Sequence, residues 1–220
     1  MEKIDNFYSK HNGSYFIFEA IFIAVVTVIV SSILYIQIDW KFNIIGYYLS
    51  DLGSIPLGTT ENKFYLYAIV FNSGMFVVSL FRIIVSLFLI RYLILHNCPK
   101  KLAWLTFGIG LIATSGSLIV SAVPYSVSYN VHLMGAFLLF IGATISGTLL
   151  TFAEFKSEEI PKILPISIII NVLAYGIFAT LLFGTRLGLP ERLPCVWEWI
   201  AFLTSLTWLA IHGIYTYNNP

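Results

Sequence analysis

Phe16 to Ile38 reads FIFEAIFIAVVTVIVSSILYIQI, twenty-three residues with one ionisable side chain, Glu19. A helix needs about 20 apolar residues to cross roughly 30 Å of hydrocarbon while satisfying its own backbone hydrogen bonds. The stretch is therefore a transmembrane helix. It is too long for the apolar core of a signal peptide, and no small-residue cleavage site of the A-x-A kind follows it, so it is expected to stay as the first helix.

Five further runs of the same kind follow: Phe64 to Ile84, with helix expected to continue to Leu95, then Leu102 to Val123, Val131 to Phe155, Ile163 to Gly184 and Cys195 to Tyr217. Of the 220 residues, 58% are hydrophobic and 10% charged, against roughly 25% charged in an ordinary soluble domain. The expected fold class is all-α, a polytopic membrane protein with six transmembrane helices in one bundle, residues 1–220 forming one domain. A net charge of +1 gives no reason to expect a nucleic-acid partner.

Six crossings put the N-terminus, the loops after the second and fourth helices and the C-terminus on one side. That side holds Lys3, Lys10, Arg91, Lys100, Lys101, Lys156 and Lys162; the other holds Lys41, Lys63, Arg186 and Arg192. Seven cations against four predict cytoplasmic termini, in the plasma membrane if the source is prokaryotic. Cys98 and Cys195 then fall at opposite faces, which excludes a disulfide between them. Both are read as packing residues.

The longest connection, Asp39 to Lys63, lies on the outer side and contains YYLSDLGSIPLG, Tyr47 to Gly58. It is too aromatic and aliphatic to be disordered, so it is expected to pack into the outer interface, with Trp40, Tyr47 and Tyr48 as anchors. The third and fourth spans carry small residues four apart, namely Thr106, Gly110 and Thr114, Gly142 with Ser146, and Ala143 with Gly147. Such stripes let helix backbones approach closely in lipid. Those two helices should cross tightly.

Nearly every ionisable group outside the cytoplasmic loops belongs to one membrane face, so the topology can bring them together. Asp51 either stabilises the turn before Gly53 or holds a cation, a headgroup or His132. His132 either bonds a neighbouring loop or serves in proton transfer or metal ligation. Glu198, one turn into the last helix, is costly in lipid and should face the bundle interior with a partner. These three are the catalytic candidates, with Ser50, Glu61, Tyr125, Arg186 and Arg192 as binding candidates. Within the membrane, Glu19 and Arg82 lie at similar depth and are expected to pair. Asn72 and Gly74 are read as interhelical bonding and close packing, and His212 as interfacial.

The order of LSDLG in the first outer loop, ENKFYLYAIVFNSGMF opening the second span, glycines and serines leading to VP, then H and GAF through the third and fourth, and EW opening the sixth resembles two related groups. One is the prokaryotic membrane family known as domain of unknown function 998. The other is the DRAM/Frag/Sfk-type family, which includes autophagy modulators and a GPI-anchor lipid-remodelling factor. The resemblance spans most of the chain. It implies a six-helix fold, a link to lipids, and Asp51, His132 and Glu198 as the positions to examine.

Three functions follow. The first is lipid handling at the outer face, a headgroup or tail held beside Asp51, His132 and Glu198; as an enzyme, His132 would act as general base, Asp51 or Glu198 would orient it, and Arg186 or Arg192 would hold a phosphate. The second is a non-catalytic scaffold or regulator with a protein partner docked on its helix faces. The third, a proton-linked transporter, would need ionisable residues near mid-membrane, and the third and fifth spans have none. No GxSxG, HExxH or phosphate-loop motif is present. One outer histidine falls short of the three-histidine zinc set of ceramidase-type intramembrane hydrolases, so no metal or other cofactor is expected.

Overall fold

The computed structural model describes residues 2–55, 65–185, 187–190 and 192–219. A short helix α1, Glu2–Tyr8, precedes six long apolar ones: α2 Gly13–Ile36, α3 Leu66–Leu95, α4 Lys100–Ala122, α5 Tyr129–Lys156, α6 Ile163–Thr185 and α7 Leu193–Asn218. The six are long and apolar enough to cross a membrane, and each coincides with an expected span to within three residues at either end. Length is additive along a chain, which is why it is legible without coordinates.

Each long helix packs on its chain neighbour, and α7 closes back on α2, so the six form a ring. At the closing seam the Ser14 and Thr216 hydroxyls lie 2.9 Å apart, and Gly213 lets α7 approach Ile17 and Phe18 of α2. The sequence reading did not anticipate α1. It folds against the C-terminal half of α3, where Arg91 Nε meets Asp5 Oδ1 at 2.9 Å and the Tyr8 hydroxyl donates to the Ile84 carbonyl.

The helices α4 and α5 do cross tightly, through partly different residues from those expected. A methyl group on Gly116 would sit 2.5 Å from the Gly135 carbonyl oxygen, and one on Gly142 would sit 2.9 Å from the Ala113 nitrogen, whereas Gly110 has nothing within 4 Å. Gly147 instead admits Val172 of α6, and Gly74 admits Thr27 of α2. Among the described residues Asn72 bonds no other long helix; its side-chain amide donates to the Gly53 carbonyl at 2.7 Å.

The ring encloses a central cavity of about 540 Å³, to which all six long helices contribute walls. That is within the size range of pockets for small organic ligands.

Candidate functional site at the outer end of the cavity

LSDLG forms a single 3₁₀ turn, Leu49–Gly53, and this turn lines the end of the cavity that carries the α2–α3 and α4–α5 connections. Leu49 and Leu52 are buried against Val28 of α2, Phe71 of α3 and Trp199 of α7. Gly53 is required by the approach of α3, because a Cβ there would meet Asn72 Oδ1 at 2.5 Å and Phe71 at 2.9 Å. The turn is held from three sides. Tyr67 and Asn72 of α3 donate to the Ser54 and Gly53 carbonyls, Trp199 of α7 donates to the Tyr47 carbonyl at 3.1 Å, and the Ile55 N–H donates to Ser126 Oγ between α4 and α5.

Asp51 sits in the middle of this arrangement, and both of its oxygens are engaged. Oδ2 accepts the Tyr48 N–H at 2.7 Å, as an acid does at the start of a helical turn, and Oδ1 accepts the Tyr125 hydroxyl at 2.9 Å. Burial raises its carboxyl above the ordinary value of 3.8, opposed by the two hydrogen bonds. Tyr125 in turn is raised by burial and by the Asp51 charge. Of the two readings of Asp51, these contacts support the turn-stabilising one; His132 is not among its partners.

His132 lies beside this pair, its ring edge-on to Tyr125 with centroids 5.9 Å apart. Its Nδ1 is 2.9 Å from the Val123 carbonyl oxygen, which can only accept, so Nδ1 carries a proton and donates. Val123 is the residue that ends α4, and its carbonyl has no partner within that helix. His132 thus ties the end of α4 to the start of α5. Glu198 Oε2 accepts from Ser50, at 3.3 Å from N and 3.5 Å from Oγ.

Ser50, Asp51, Tyr125, His132 and Glu198 all line this end of the cavity, contributed by two separate connections and two helices. The expected convergence of these five is formed, but not the expected catalytic wiring. No hydrogen bond joins His132 to Asp51 or to Glu198 among the described residues: His132 Nδ1 goes to the Val123 carbonyl, Asp51 to the Tyr48 N–H and the Tyr125 hydroxyl, and Glu198 Oε2 to Ser50. Arg192 is exposed at the start of α7, near Tyr47, and is not among the residues lining the cavity. Glu61 and Arg186 lie outside the described residues.

The expected Glu19–Arg82 pair is not formed. Glu19 is on the exposed face of α2, whereas Arg82 lines the cavity, and no ion pair joins them. Depth along two helices was read correctly, but pairing also depends on rotation about each axis. The histidine read as interfacial, His212, is instead completely buried, with Nε2 2.9 Å from Oε1 of the equally buried Glu154. The sequence signal for that pair was a glutamate inside the fourth apolar run, Val131 to Phe155, near the end of α5.

The described residues contain no group of three metal-ligating side chains. Comparison of the chain with family models, with curated proteins and with solved structures gives no match.

The raised carboxyl of Asp51 has a consequence for pH. A group that holds its proton more tightly when folded stabilises the fold below its unfolded value, here 3.8, and that contribution is lost as pH rises through the folded value. Unfolding of wild type in detergent should show a decline in stability from about pH 4 upward that is shallower in Asp51→Asn. An unchanged pH slope would remove the electrostatic account of Asp51.

Proposed function

We propose that this is an integral membrane protein that takes one membrane lipid, or part of one, into its central cavity. The observation that carries the reading is the distribution of groups around that cavity. Its walls are mostly apolar, as in Val78, Leu139, Phe140 and Phe178, with hydroxyls such as Thr114 and Ser117 between them, while an imidazole and two carboxyl groups gather at the outer end. Apolar walls suit an acyl chain, and hydrogen-bonding groups at the mouth suit uncharged polar parts such as hydroxyls, amides or ester carbonyls. The resemblance of the sequence motifs to the domain of unknown function 998 and DRAM/Frag/Sfk-type families implies a link to lipids, and the excess of lysine and arginine on the side of the termini favours termini in the cytoplasm and a cavity mouth facing outward.

Binding is favoured over catalysis, since His132 is engaged with a backbone carbonyl and not with an acid. The scaffold reading has one observation in its favour: both Asp51 oxygens are used to hold the outer connections together. Mass spectrometry of lipid carried through purification separates the two. The lipid-binding protein should retain a selectively enriched species, and Ala143→Phe, which fills the cavity from α5, should abolish the enrichment. A lipid profile matching the bulk membrane extract in both proteins would leave the scaffold.

A further inference from the structure

Arg82 is the seventeenth of the thirty residues of α3, by count from Leu66. At 1.5 Å per residue it lies roughly 24 Å along the helix from Leu66 and roughly 20 Å from Leu95. Its neighbour one turn earlier, Ser79, is bonded to Ser117 in the interior of α4. Arg82 lines the cavity and, among the described residues, is the only arginine or lysine to do so. Among the described residues it has no hydrogen-bond or ion-pair partner, and the acid expected to neutralise it, Glu19, is on the outside of the ring.

The two acids that line the same cavity are far from it. The 3₁₀ turn carrying Asp51 is level with Asn72, which bonds Gly53. Ten residues of helix separate Asn72 from Arg82, roughly 15 Å. The cavity is therefore polarised, acidic at its mouth and cationic at depth. A guanidinium inside a span is expensive unless paired, and the cavity-lining residues around it on α3, Val78, Val85, Ser86 and Leu89, include no acid to neutralise it.

Resting on the lipid-binding reading, we infer that the ligand of the central cavity is a long-chain carboxylate whose anionic group pairs with Arg82. The apolar walls accept the chain. The planar fork of the guanidinium matches both oxygens of a carboxylate. One cation balances one negative charge, so a monoanion is favoured over a phosphate monoester, which carries up to two. The acids at the mouth repel an anionic group there and leave Arg82 as its seat.

Binding of radiolabelled dodecanoate, dodecanol and dodecyl phosphate to the full chain in nanodiscs tests this. Dodecanoate should bind saturably, one per chain, and about tenfold or more tighter than dodecanol. Its affinity should fall as the carboxylate is protonated at low pH, a readout that needs no variant. Arg82→Met should reduce dodecanoate to the level of dodecanol and leave dodecanol unchanged, which also reports that the variant is folded; Arg82→Lys should fall between. Equal affinity for dodecanoate and dodecanol, or an Arg82→Met protein that still prefers dodecanoate, overturns the pairing and leaves the cavity reading standing. Tighter binding of dodecyl phosphate overturns the carboxylate assignment. Absence of binding by all three overturns the cavity reading as well.

Discussion

Replacing His212 with leucine lowers the stability of the folded protein by about 3–5 kcal/mol, the cost of stranding one member of a buried pair. His212 and Glu154 are each completely buried and meet at 2.9 Å. The histidine Nδ1 donates to the Trp208 carbonyl at 2.8 Å, so a single proton is held between its Nε2 and Glu154 Oε1. Without the imidazole, Glu154 loses its bond at Oε1, and Oε2 already has no partner among the described residues. Neither oxygen can reach water.

The same argument predicts that Glu154→Gln is mild, because an amide N–H can donate to the imidazole nitrogen. The double variant Glu154→Leu/His212→Leu should recover most of the loss, since no polar group is left stranded. Unfolding by SDS titration of protein in mixed micelles measures all three. A double variant as unstable as His212→Leu would mean that packing, not polarity, sets the value of this pair. The pair also links α5 to α7, helices that are not neighbours in the ring, at the end opposite the 3₁₀ turn.

Gly116→Val should cost about 3 kcal/mol or more, the upper part of the range for overpacking. The first carbon alone would lie 2.5 Å from the Gly135 oxygen and 2.9 Å from the Leu138 carbonyl carbon. Those are backbone atoms of α5, which cannot swing aside as a side chain does, so the whole α4–α5 contact must open. Ser117 and Val120, the neighbouring wall of the cavity, would move with it. Gly110→Ala is the control: nothing lies within 4 Å of the added methyl group. Its stability should stay within about 1 kcal/mol of wild type. If both substitutions cost the same in SDS titration, the close approach at Gly116 has no energetic meaning.

Several parts of the site were legible before any coordinates. LSDLG announced a turn with an acid, and topology alone put it on the same face as Tyr125, His132 and Glu198. The partners of Asp51 were not legible. Its bonds go to a backbone N–H three residues earlier and to a hydroxyl 74 residues later, and the distant partner depends on how α4 ends and α5 begins. The role of His132 was hidden for a related reason. Its partner is a carbonyl, and every residue in the chain has one.

Local sums along the chain determined that it has six membrane-crossing helices and where each begins and ends, because transfer of a segment into hydrocarbon depends on its own residues. Only the tertiary structure decided which polar side chains meet. In helices apolar on nearly every side, the sequence carries little information about which face turns inward. Glu19 and Arg82 share a depth yet are divided by a rotation about α2, while Glu154 and His212, 58 residues apart, are joined by the closure of the ring.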